Sequence, residues 1–131
     1  MAFHTSCASA AEAGGFLCAP DIVADAQGRE QVQHGSALFP IACYAEDLKS
    51  YSVAWHWHEE FEFILAEKGT LTVDVNKMRL LLQTGQGVFI NSGVLHAVEQ
   101  AEKEETLLRS GVFHPRLVGG MDTIFWQKLI C

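Results

Sequence analysis

The sequence predicts an all-β domain, an antiparallel sandwich or barrel with little helix. Three observations carry that expectation. From residue 36 onward, short segments rich in β-branched and aromatic residues alternate with turn signals at regular intervals. One of them, 70–76, alternates cleanly, with Leu71, Val73 and Val75 on one face and Thr70, Thr72, Asp74 and Asn76 on the other. Only 121–130 offers a helical stripe, formed by Met121, Ile124, Phe125 and Leu129. A chain of 131 residues suits one domain, and at 49% apolar it can bury a core without staples.

Residues 1–35 carry little pattern and read as an amino-terminal arm. Within them, the Ala-rich stretch 8–13 suits a short helix, and 25–29 reads as a turn because Asp and Gly tolerate turn dihedrals. The arm contributes little to the functional argument, although in a sensor it and the carboxy-terminal stripe are the expected moving parts. The barrel is expected over 36–114. Its first strand, 37–44, contains Pro40, which lacks an amide hydrogen and confines the strand to an edge or a bulge. Strands follow at 51–58 and 61–66. Lys68 and Gly69 make a turn in which the glycine supplies a positive φ. After 70–76 come strands at 79–83, 88–91, 95–100 and 106–113, parted by Gly85, Gly87 and the pair Ser92 and Gly93. Residues 115–131 form a carboxy-terminal segment whose apolar stripe expects a partner outside this sequence.

Charge and composition narrow the function. Nine Lys and Arg against sixteen Asp and Glu leave a net charge of −7, and the basic residues are scattered. That disfavours stand-alone nucleic-acid binding, which rests on neutralising phosphates. No apolar run approaches the roughly 20 residues of a membrane span. Residues 1–20 lack the basic start and continuous apolar stretch of a secretion signal; His4, Thr5, Ser6, Ser9 and Glu12 interrupt them. Cys7, Cys18, Cys43 and Cys131 form no C-x-x-C pair. The reading is a reduced, cytoplasmic setting, with Cys43 as a small core hydrophobe.

One stretch stands out, Trp55 through Glu62. His56 and His58 are two apart, so on a strand they share a face. Glu62 can return beside them on the next strand. Ring nitrogens and a carboxylate oxygen suit a borderline divalent cation. His96, just beyond the Gly93 turn, is the candidate fourth member. The simpler reading is that such short patterns recur by chance. Glu59 and Glu60 read as solvated loop charges, and His4, His34 and His114 as surface or structural. Trp55 and Trp57 face away from the histidines and read as packing residues rather than ligand-stacking ones.

These residues resemble the motifs of the cupin superfamily. The first motif, G-x5-H-x-H-x(3,4)-E-x6-G, meets His56, His58, Glu62 and Gly69, with Ser50 in place of the leading Gly. The second, G-x5-P-x-G-x2-H-x3-N, meets Gly85, Gly93 and His96, with Asn91 for the Pro and Gln100 for the Asn. Every departure falls on a turn or framework position. Within that superfamily the chain resembles the amino-terminal sensor domain of AraC-type transcription regulators. Residues 39–44 look like its first strand, 56–63 like its H-x-H-x-x-x-E segment and 85–96 like its G-d-x-x-x-I-x-p-x-x-x-H stretch; Phe113, His114 and Pro115 look like the strand that ends its barrel.

The resemblance implies a single-domain cupin, a double-stranded β-helix or jelly roll. It implies a pocket formed by His56, His58, Glu62 and His96, able to hold a divalent zinc, nickel, iron or manganese ion and to bind a small-molecule effector. It also implies a homodimer, paired through an outer sheet face. AraC-type regulators carry two helix-turn-helix motifs after this domain. The sequence stops at Cys131 with no room for them, so no DNA binding is expected from this chain alone. Two other readings stay open. One is a small metal-dependent cupin enzyme of the oxygenase or isomerase type, in which Glu60 or Tyr51 serves as acid or base. The other is a degenerate cupin that only dimerises.

Overall fold

Inward and outward residues alternate along most strands, and that alternation decides the architecture. On strand β1 (Ile41–Asp47), Ala42, Tyr44 and Glu46 are buried while their neighbours are less so. On β8 (Leu107–Phe113), Leu108, Ser110 and Val112 are the buried set. A period of two means one face of each strand lines an interior and the other faces out. The computed structural model describes residues 22–49 and 51–118. Between β1 and β8 lie β2 (Val53–His56), β3 (Phe61–Lys68), β4 (Leu71–Val75), β5 (Met78–Leu82), β6 (Gly87–Ile90) and β7 (His96–Gln100). They form two four-stranded antiparallel sheets, ordered β1-β8-β3-β6 and β2-β7-β4-β5. The inner faces of the two sheets enclose one barrel-like interior.

Each expected strand is present, with shifted ends. β1 starts at Ile41 rather than residue 37, because Pro40 cannot donate to a ladder. Its carbonyl instead accepts from the His114 amide at 2.9 Å. The strand lies at a sheet edge, as Pro40 requires. β2 ends at His56, short of residue 58, after a register shift between Val53 and His56. Trp57 leaves the sheet to bridge Arg29. Gly69 takes φ 70°, and a Cβ there would stand 2.5 Å from the Glu105 carbonyl oxygen, so that turn admits only glycine. Asn76, at φ 51°, turns β4 into β5.

The turn at 25–29 forms as read. Asp25 Oδ1 accepts from the amides of Gln27 and Arg29 at 2.9 and 3.0 Å, and Gly28 has φ 81°. Cys43 departs from its reading: it is half-buried on the outward side of β1, beside Gly111, rather than in the core. Among the described residues the one helical turn is a 3-10 turn at Pro115–Leu117. None of their helices is long and apolar enough to cross a membrane. The expectations for 8–13 and 121–130, for Ser50, and for Cys7, Cys18 and Cys131 lie outside the described residues.

The interior has two unlike ends. One is packed by Leu48, Ile64, Ala66, Leu71, Val73, Leu82, Ile90, Val98 and Leu108. The other is lined by buried polar residues, and the candidate site is there.

Candidate functional site

The bulge in β2 brings His56 opposite His96, the first residue of β7, and the two are cross-strand partners. Their ring centroids are 4.3 Å apart. His58 lies two residues past the end of β2, yet it is as buried as His56 and His96. Glu62 reaches in from the facing sheet, on β3. One potential ligand atom from each of His56, His58, Glu62 and His96 lies within 4.8 Å of the others. All four expected residues therefore come together, from both sheets.

Backbone carbonyls set the direction of each ring. The Nδ1–H groups of His56, His58 and His96 donate to the carbonyl oxygens of Ala54, Glu60 and Val94, at 2.7, 3.0 and 2.8 Å. A carbonyl only accepts, so the proton of each neutral ring sits on Nδ1 and its lone pair on Nε2. Two of those Nε2 atoms face one carboxylate oxygen. Glu62 Oε2 is 3.2 Å from His58 Nε2 and 2.9 Å from His96 Nε2. Neutral rings in this pose would aim lone pairs at a negative oxygen. The arrangement therefore calls for positive charge between them, supplied by protons or by a cation. Fixing Nδ1 to a carbonyl is also how proteins orient imidazoles as metal ligands.

The ionisation tendencies follow from the same contacts. Burial alone would raise the Glu62 carboxyl, but hydrogen bonds from His58 and His96 outweigh it and hold the group well below the usual carboxylate range. Burial also opposes charging His58, but the Glu62 hydrogen bond and the neighbouring carboxylates win, and its pKa rises. His56 goes down, because burial and the adjacent His96 both disfavour its cation. Nothing in the chemistry of the set conflicts with a divalent cation: nitrogen and oxygen donors, buried and pre-oriented.

Sequence reasoning missed a second polar group in the same interior. His34, read as surface or structural, is buried. Its Nε2–H donates to Glu30 Oε2 at 2.8 Å, and its Nδ1 is hydrogen-bonded to the Tyr44 hydroxyl at 2.7 Å. The His34 and His58 rings are 5.6 Å apart, edge to face. The arm thus places polar side chains in the same interior, which its weak pattern did not show. Residue 30 is held by a long-range contact, its amide donating to the Trp57 carbonyl at 2.8 Å. No local pattern announces such a contact. Glu46 joins the group from β1. Burial, then Glu62 and Glu30, push its carboxyl up to about 8. Tyr44 is pushed up to about 12, mainly by burial.

Trp57 packs as read. Its Nε1–H donates to the Gln27 carbonyl at 3.0 Å, and the Arg29 guanidinium lies 5.6 Å from its ring centre. Arg29 in turn pairs with Glu59 at 2.9 Å. Glu59 is exposed as expected, and Glu60 sits partly buried with its carboxylate 3.8 Å from His58 Nδ1.

Space is limited inside and ample outside. The cavity between the His56 group and the His34 group measures about 30 Å³, room for an ion with a water or two. A cleft of about 440 Å³ opens outside it, between 25–33 and 58–60, and His58 lines both.

Comparisons with known proteins agree with this architecture. A family profile described as the AraC-like ligand binding domain matches residues 38–121. An uncharacterized HTH-type transcriptional regulator of Bacillus subtilis (strain 168), YdeC, is 34% identical over 86 residues. That match covers 63% of this chain and 29% of the regulator, so the chain spans under a third of that relative's length. Among solved structures, an HTH_3 family transcriptional regulator from Vibrio cholerae aligns with TM-score 0.52 at 18% identity, over 62% of this chain and 47% of that one. An RmlC-like cupin from Shewanella frigidimarina NCIMB 400 aligns with TM-score 0.51 at 17% identity, over 58% and 68%. At such identities the likeness is one of fold, and the fold is that of the cupins.

Proposed function

Because the chain belongs to the family of AraC-like ligand-binding domains, we propose that it is the sensor part of a transcription regulator, a cupin that binds a small-molecule effector beside a divalent metal ion. His56, His58, Glu62 and His96 would hold the ion. One observation carries this reading: three carbonyl-oriented imidazoles converge on one buried carboxylate. A bound ion would supply a Lewis-acidic anchor for an oxygen or nitrogen donor of the effector. The inner cavity is too small for a whole effector, so the effector would lie in the outer cleft and reach His58 with one small polar end. At a net charge of −7 the chain would leave DNA contact to another part of the regulator. The cytoplasm and a homodimer belong to the same proposal.

The test is a melting-shift screen on untagged protein, with and without zinc, nickel, iron(II) or manganese, against sugars, organic acids and aromatics. At least one compound is expected to raise the melting temperature only when metal is present. A blank across all compounds with metal bound contradicts the sensor reading.

The hydrogen-bonded chain from Tyr44 through His34 to Glu30 favours a second reading, a small metal-dependent cupin enzyme of the oxygenase or isomerase type. Such a chain can hold or pass a proton at the cavity wall. In the same screen, turnover of a stabilising compound, followed by mass spectrometry, would select this reading over the sensor.

A further inference from the structure

Three of the four candidate ligands are held by the sheets themselves. His56 and His96 are cross-strand partners, and Glu62 is paired on both sides, with Ile90 and Val112. His58 lies two residues past the end of β2 and has no ladder to hold it. Its Nδ1–H bond to the Glu60 carbonyl sets the ring against its own turn. A bond that spans two residues does not fix that turn relative to His56 and His96. Two other segments do. On one side the Gly93 amide donates to the His58 carbonyl at 2.9 Å, and the Ser92 hydroxyl donates to the Glu59 carbonyl at 2.6 Å. Ser92 and Gly93 lie in the turn that leads into β7 and His96. On the other side stand residues 27–30 of the amino-terminal arm, outside the stretch 38–121 that matches the family profile.

Each residue of 27–30 meets Trp57. The Trp57 amide donates to the Gly28 carbonyl at 2.9 Å, and the Glu30 amide donates to the Trp57 carbonyl at 2.8 Å, a single parallel bridge centred on Arg29. The Trp57 Nε1–H donates to the Gln27 carbonyl at 3.0 Å, and the Arg29 guanidinium lies 5.6 Å from the ring centre. The peptide that leads directly into His58 is therefore bonded on both its sides. The same segment also reaches His58 from within the barrel. Glu30 holds His34 at 2.8 Å, and the His34 ring sets its edge against the His58 ring at 5.6 Å.

We infer, given the metal site proposed above, that Trp57 is a positioning residue for His58 and that residues 27–30, acting through it, are part of that site. Trp57 touches no ion itself. It fixes the one candidate ligand that the sheets leave unheld, and metal sites tolerate little displacement of a ligand. Losing the anchor lowers metal affinity while all four ligands remain. Coupling of this kind is reciprocal. An ion that holds His58 in place therefore tightens the bonds between Trp57 and 27–30.

The test titrates zinc calorimetrically into the full, untagged, chelator-treated chain. Trp57→Ala is expected to weaken zinc binding about ten- to a hundredfold, the usual range for a residue that orients a ligand from behind. Trp57→Phe keeps a ring and loses the Nε1–H, so it should recover part of that loss. Trp55→Ala, a neighbour that is 47% exposed, should leave zinc affinity unchanged. Hydrogen exchange on the unaltered chain reads the coupling in the other direction. Zinc should slow the Glu30 and Trp57 amides roughly tenfold or more relative to amides of β4, and should not do so in His58→Ala. A tryptophan that only stabilises the fold would not respond to zinc in this way. If Trp57→Ala does not fold, Trp57→Phe and the exchange measurement decide. Equal zinc affinity in the Trp57 variants and the unaltered chain, or exchange at Glu30 and Trp57 that ignores zinc, would overturn the inference and leave the metal reading standing. An unaltered chain that binds no zinc would remove both.

Discussion

The two ends of the barrel interior share the same strands and do opposite things. Along β3 the inward row runs from Glu62 to Ile64 and Ala66; along β7 it runs from His96 to Val98; along β8 it runs from Val112 through Ser110 to Leu108. Within two to four residues the β3 and β7 rows pass from polar to dry, and β8 contributes Ser110 before Leu108. The dry end gains free energy from burial alone. The polar end concentrates buried imidazoles and carboxyls that are favourable only when their charges and hydrogen bonds are met. The fold can tolerate that end because the other end holds the sheets together. Position along one strand, rather than strand identity, separates scaffold from site.

The sharpest contrast should come from truncating one residue at each end. Ile64→Ala is expected to cost about 2–5 kcal/mol in denaturant unfolding, the same with or without metal. His96→Ala should instead remove a metal-dependent gain, about 2.7 kcal/mol at free ion a hundredfold above Kd. A metal-dependent loss at Ile64, or a metal-dependent gain that survives in His96→Ala, would break the distinction.

The pH profile of chelator-treated protein tests the polar end by itself. Glu62 is depressed in the fold, so its contribution is present above its unfolded pKa of 4.5 and lost as pH falls below it. Glu46 is raised from 4.5 to about 8, so the fold binds the extra proton and stability declines as pH rises through that window. His58 is raised above 6.5 and adds to the decline at higher pH, while the lowered His56 partly opposes it. The melting temperature should peak near roughly pH 5. Glu46→Gln should flatten the limb between 4.5 and 8. An unchanged limb would show that Glu46 is not buried in its neutral form.

The smallest effect is expected on the outside of the site. Arg29 and Glu59 are both largely exposed. Arg29→Ala should therefore shift stability by no more than about 1 kcal/mol through that pair, and less at high salt.

The sequence announces these regions unequally. Leu71, Val73 and Val75 declare their strand because alternation is a local property. His56, His58, Glu62 and His96 are readable because two turns with glycine at fixed offsets bracket them. Glu46 was hidden because the strand expected at 37–44 stops short of it, whereas β1 stays paired with β8 as far as Asp47. Glu30 and His34 were hidden for another reason. Their burial depends on backbone bonds to Trp57, almost thirty residues away, and on Tyr44 closing over the ring. Periodicity reports what a segment does with its own neighbours, so contacts that cross the chain leave no mark in it.

The central claim is that His58, His96 and Glu62 are arranged around a positive charge, filled by protons or by a metal ion. Calorimetric titration of a divalent ion into chelator-treated, untagged protein, run near pH 7 in buffers of different ionisation heat, measures that exchange. The account predicts one ion per chain with net proton release, both lost in His96→Ala. Binding that releases no protons and survives His96→Ala would contradict it.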